Sequence, residues 1–139
     1  MIDNDFTEAL KALDADGQEL LLAEDGAAKI GCGGVEMTFV VPETAQDVVY
    51  CRAAVGSLDG LDGESAAVAL LSDNFMWQAT NGGTLSVRDG AVYLTDRRDA
   101  RFFAAPGALS DYIRLFAETV RLTRERLETF RPAAGKEVR

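Results

Sequence analysis

Histidine is absent from all 139 residues, which removes the commonest general acid–base group near neutral pH. Catalytic systems that pair a serine or cysteine with histidine go with it. Cysteine is scarce: Cys32 and Cys51 fall short of the four Cys/His ligands that closed zinc sites use. They read as buried thiols behaving as small hydrophobes. No apolar run approaches the ~18 residues needed to cross a bilayer. Met1-Ile2-Asp3-Asn4-Asp5 has neither the basic nor the apolar region of a signal peptide, so a cytoplasmic location with reduced thiols is expected.

Positive charge is also in short supply. Fourteen Lys and Arg face twenty-three Asp and Glu, a net charge of −9. Nucleic acid and anionic membrane surfaces are therefore disfavoured as partners, since both need neutralising cations. A partner with basic patches suits the balance better. The charge is uneven. Residues 109–139 hold seven basic and five acidic groups, +2, which leaves seven against eighteen, −11, for residues 1–108.

Cofactor loops are missing as well. Gly31-Cys32-Gly33-Gly34 is followed by neither Lys-Ser/Thr nor a helix, and Gly82-Gly83 precedes a strand pattern, so neither cradles phosphate. Asp59-Gly60-Leu61-Asp62-Gly63-Glu64 lacks the alternating oxygen ligands of a calcium loop. No catalytic residue, metal or cofactor is expected. A carboxylate-based enzyme is the weak remaining alternative to a binding protein.

What is present is regular periodicity. Phe6, Leu10 and Leu13 put one apolar stripe on a helix over about Asn4 to Asp14, with Asp5 and Glu8 as a capping pair. Strands follow at Ala28–Cys32, Val35–Val41 and Asp47–Val55, the first two joined by a Gly33-Gly34 hairpin turn. A second helix over about Glu64 to Phe75 carries Ala67, Leu71 and Phe75 at i+4 steps. Thr84–Arg88 and Ala91–Thr95 form a hairpin around Asp89-Gly90. The last helix begins after Pro106-Gly107, capped at Ser110 or just before it, and steps through Ile113, Phe116, Val120, Thr123, Leu127 and Phe130, with Leu109, Tyr112, Leu115 and Leu122 widening the stripe. Packing against the sheet is the better account of it, with a three-heptad coiled coil as the alternative.

The order α-β-β-β-α-β-β-α predicts an α+β fold: an antiparallel twisted sheet with helices packed on one face. One domain over 1–139 is expected, with about 132–139 as a flexible tail. Phe102-Phe103 and Met76-Trp77 sit at element ends, where they either fill the core edge or form contact surface.

Leu70-Leu71-Ser72-Asp73-Asn74-Phe75, then Gly82-Gly83-Thr84-Leu85 and the hairpin through Leu94, resembles the Tir-chaperone family of class I type III secretion chaperones. Length, acidity and element order agree with that family along nearly the whole chain. The resemblance implies a homodimer whose contact is the second helix and the following strand, here Leu71, Phe75, Trp77, Leu85 and Val87. It implies binding of the non-globular N-terminal part of a secreted effector, keeping it soluble and export-competent. Candidate effector contacts are Phe6, Leu10, Leu13, Ile30, Phe39 and Tyr93. It implies no cofactor and no enzymatic activity. A same-fold regulator or adaptor without export cargo is the alternative.

Overall fold

The structure is a computed structural model that describes residues 3–15, 18–19, 23 and 25–132. The expected tail therefore lies almost wholly outside the described residues. Helix α1 (Asp5–Ala12) is followed by a two-residue ladder, β1 (Asp14–Ala15) with β2 (Gln18–Glu19). Then come β3 (Ala27–Cys32), β4 (Val35–Val40) and β5 (Val48–Ser57), helix α2 (Gly63–Asp73), β6 (Thr84–Arg88), β7 (Ala91–Asp99) and helix α3 (Ala108–Glu128). Strands β3 to β7 make one antiparallel sheet in the order β3-β4-β5-β7-β6. The α+β architecture read from the sequence is the one observed.

The turns follow from backbone chemistry. Gly33 and Gly34 have φ of 55° and 80°, and Asp89 and Gly90 have 51° and 78°. Both pairs adopt the left-handed geometry of two-residue hairpins, so each hairpin keeps register through its strands. Strand β5 carries an irregularity between Ala54 and Gly56. The guanidinium of Arg124 covers it, donating to the carbonyls of Val55 at 2.8 Å, Ala54 at 3.1 Å and Gly34 at 3.2 Å. Arg121 donates to the Gly33 carbonyl at 3.2 Å. Two arginines of α3 thus fasten the β3–β4 turn to the helix.

Alternation along the strands puts Ile30, Met37, Phe39, Cys51 and Leu94 on one sheet face, where α1 and α3 cover them. Ring centroids of Phe6 lie 5.3 Å from Phe39 and 5.2 Å from Phe103, and those of Phe103 and Tyr112 are 5.5 Å apart. Each fully buried large side chain of this kind stabilises by roughly 1.5–3 kcal/mol. On the opposite face Lys29, Arg52 and Ser86 are exposed, and Tyr50 is 37% exposed.

Three local expectations change. Asn4, not Asp5, caps α1: its carboxamide oxygen accepts from Thr7 N–H at 2.9 Å, and Thr7 Oγ1 accepts from Asn4 N–H at 2.8 Å. Helix α3 starts directly after Gly107, at φ 80°, as expected, but without the side-chain cap expected at or just before Ser110. Leu115 and Leu122 lie outside the buried stripe of α3, being about half exposed.

Candidate protein-binding surface

Helix α2 is apolar on more than one side, so its sequence alone does not say which side is core. Asp62 starts it, accepting from Ser65 N–H at 3.3 Å. Ala66 and Leu70 are the side chains it buries, on the flank that rests on β6. The Ala67-Leu71-Phe75 stripe points away from that flank. Leu71 is 72% exposed and Phe75 is 78% exposed. A 3₁₀ turn, Phe75–Trp77, continues from the helix, and both Met76 and Trp77 are exposed there.

The backbone of that turn is unusual. Met76 and Trp77 have φ of 57° and 56°. Consecutive left-handed residues with large side chains cost of order 1–3 kcal/mol each and persist only where the surroundings hold them. Here the Trp77 carbonyl accepts from Gly82 N–H at 2.9 Å, and the Trp77 indole donates to Thr84 Oγ1 at 3.3 Å. The Thr80 hydroxyl lies within reach of the Trp77 and Gly83 carbonyls. Asn74 fixes the start of the turn. Its Nδ2 donates to the Leu85 carbonyl at 2.9 Å and its Oδ1 accepts from Leu85 N–H at 2.7 Å. A shallow groove of about 500 Å³ beside it is lined by Val68, Leu71, Ser72 and Phe75.

Of the five residues expected at a dimer contact, Leu71, Phe75, Trp77 and Val87 reach the surface, and Val87 projects from the adjoining strand. Leu85 does not: it is a core residue, because β6 turns it inward beneath Leu70 onto the face it shares with Leu94. Met76, expected either at the core edge or on contact surface, takes the surface, and Val68 joins the exposed set from outside the expected contacts. Val68 sits one helical turn from Leu71, a spacing that could have found it.

The expected effector contacts divide. Phe6, Leu10, Ile30 and Phe39 are buried, Phe6 and Leu10 of α1 sharing one core with Ile30 and Phe39 of the sheet. Leu13 and Tyr93 remain half-buried. Leu13 lines a groove of about 350 Å³ between α1 and the start of α3, with Ala9, Pro106 and Leu109 on its walls and Asp5 and Glu8 at its mouth. The mouth opens onto a hollow of about 380 Å³ ringed by Asp3, Asp47 and Asp99. Arg101 hydrogen-bonds Asp99 and holds its carboxyl below the usual range.

A polar cluster lies at the same, N-terminal end of α3. Tyr112 donates to Asp96 at 2.6 Å and Arg98 Nε donates to the same carboxylate at 3.0 Å. The Arg98 guanidinium stands 5.0 Å over the Phe102 ring. Burial, with Asp96 nearby, pushes the Cys51 thiol well above its ordinary range. Among the described residues no three Asp, Glu or Cys side chains converge as metal ligands, and no helix is long and apolar enough to cross a membrane.

The surfaces described are apolar patches and grooves, one of them with acidic side chains on its rim. Similar folds occur among solved structures. The chain superposes on a chain of the ExsC–ExsE complex with a TM-score of 0.73 at 19% identity, covering 93% of this chain and 95% of that one. For the HopA1–SchA chaperone–effector complex the TM-score is 0.64 at 13% identity, with 86% and 90% covered. For the heterodimeric ExoU–SpcU complex from the type III secretion system of Pseudomonas aeruginosa it is 0.60 at 16% identity, with 89% and 95% covered. No curated protein sequence matches the chain. The Tir chaperone protein (CesT) family model matches residues 9–124, most of the chain, and the protein belongs to that family.

Proposed function

We propose that this protein is a cytoplasmic type III secretion chaperone that dimerises and binds the non-globular N-terminal segment of a secreted effector, keeping it soluble and export-competent. It acts by binding and catalyses no reaction, and residues 1–139 form one domain. The observation that carries this reading is the exposed apolar set Leu71, Phe75, Met76 and Trp77, held in place by a strained turn inside a family of chaperones. A contiguous apolar surface of this kind marks an interface. The patch at α2 serves the dimer, as the resemblance implies. The effector runs past Leu13 and Tyr93 instead of contacting the buried Phe6, Leu10, Ile30 and Phe39.

Light scattering on the eluting protein at micromolar concentration tests the first half: a dimer is expected, and a monomer counts heavily against the reading. Co-purification from the native cell tests the second. An extended, otherwise aggregation-prone secreted protein is expected, whereas a folded regulator as sole partner favours an adaptor role.

A further inference from the structure

The apolar surface beside α2 does not end at that helix. Leu115 and Leu122 of α3 are 47% and 53% exposed, on a helix that otherwise buries its large apolar side chains. Thr119 lies between them on the same flank, at steps of four and three residues. Two ties place this flank against the α2–β6 connection. Asn81 Nδ2 donates to Thr119 Oγ1 at 2.8 Å, and Arg126, one turn past Leu122, pairs with Asp73 at the end of α2 at 2.5 Å. Leu122 therefore sits between two fastenings of the segment that carries Phe75, Met76 and Trp77.

We propose that Leu115 and Leu122 belong to the seam covered by the second copy of this chain. The seam then runs from α2 across the 3₁₀ turn and onto α3. This rests on the dimer reading above and extends it to an element that reading does not include. Area argues for a second copy as the occupant. The α2, turn and β6 side chains alone present roughly 700 Å², and with the two leucines roughly 900 Å², where a stable interface takes about 800 Å² from each partner. Charge argues the same way. Of the charged groups around Leu122, Asp73 pairs with Arg126 and Glu118 with Arg121, so covering those strands no lone ion. The acidic mouth near Leu13 suits a basic extended segment better, which leaves this neutral flank to self-association.

The test is the dimer dissociation constant of Leu122→Gln and Leu115→Gln, measured by sedimentation beside wild type and Leu71→Glu, with circular dichroism as the check on folding. Glutamine keeps helix propensity at these exposed positions, so native spectra and melting are expected. Each variant should dimerise at least about tenfold more weakly than wild type, the loss expected of a buried interface side chain. If Leu71→Glu dissociates while both glutamine variants dimerise like wild type, the inference is wrong and the dimer reading stands. A monomeric wild type defeats both. Loss of co-purifying effector with the dimer intact assigns this flank to the effector and also overturns the inference.

Discussion

The carboxamide of Asn74 takes both backbone hydrogen-bonding groups of Leu85, donating at 2.9 Å and accepting at 2.7 Å. It does to β6 what a neighbouring strand would do, at one position of an otherwise open edge. The same contact sets where the helix ends and where the strained turn begins.

Asn74→Ala removes both bonds and leaves the half-buried Leu85 groups dependent on water. A loss of about 1–3 kcal/mol is expected, read as a shift in the urea midpoint at constant slope. Asn74→Asp keeps the acceptor but sets a carboxylate against the Leu85 carbonyl, so it should cost about as much as alanine. A neutral result for both would show that the turn is held elsewhere.

Trp77→Ala should weaken dimerisation by more than it lowers monomer stability. The indole is 52% exposed and makes one side-chain bond, to Thr84, so little folding energy is lost with it. Unchanged dimerisation would reassign Trp77 to the effector-facing surface.

Arg124→Ala should cost about 2–3 kcal/mol in urea unfolding, because three carbonyls at the β5 irregularity and the β3–β4 turn lose a charged donor together. Arg124→Lys should recover only part of that, since one ammonium cannot reach all three. Arg121→Ala, which releases a single carbonyl, should cost less.

Alkaline pH should destabilise the fold through α3. Burial pushes the Tyr112 hydroxyl up, helped by the nearby Cys51 and by its bond to Asp96, and burial likewise pushes up the Cys51 thiol. Both groups keep protons in the folded state where the unfolded chain has lost them, so stability falls as pH rises. The decline should begin near pH 8.5, where a free thiol titrates, and steepen near pH 10, at about 1.4 kcal/mol per pH unit for each group. Cys51→Ala should move the onset up to about pH 10. An unmoved onset would remove Cys51 from the account.

Much of this architecture is legible in the sequence. Period-2 alternation marks β4 and β5, glycine-containing dipeptides mark both hairpins, and the 3–4 stepping from Ile113 to Leu127 marks the buried stripe of α3. The side of α2 that faces the core is not legible, because Ala66-Leu70 and Ala67-Leu71-Phe75 are both apolar i+4 stripes. Only packing on β6 chooses between them. The same limit hides the burial of Phe6, Leu10, Ile30 and Phe39: an apolar residue chosen for contact looks identical to one chosen for the core. The cap at Asn4 is also missed, since Asp5 satisfies the same pattern one residue later.

The arginines of α3 leave one more consequence. Arg114 pairs with Asp111, Arg121 with Glu118, Arg126 with Asp73, and Arg124 is spent on carbonyls. Helix α3, with four arginines against four carboxylates, therefore offers an approaching molecule few free cations on the surface of the protein. Its acidic body sets the long-range field almost alone, and that field governs how fast a partner arrives more than how tightly it stays. A basic segment should then be captured quickly in dilute salt and slowly in concentrated salt, while its rate of departure, set by apolar contacts, hardly changes.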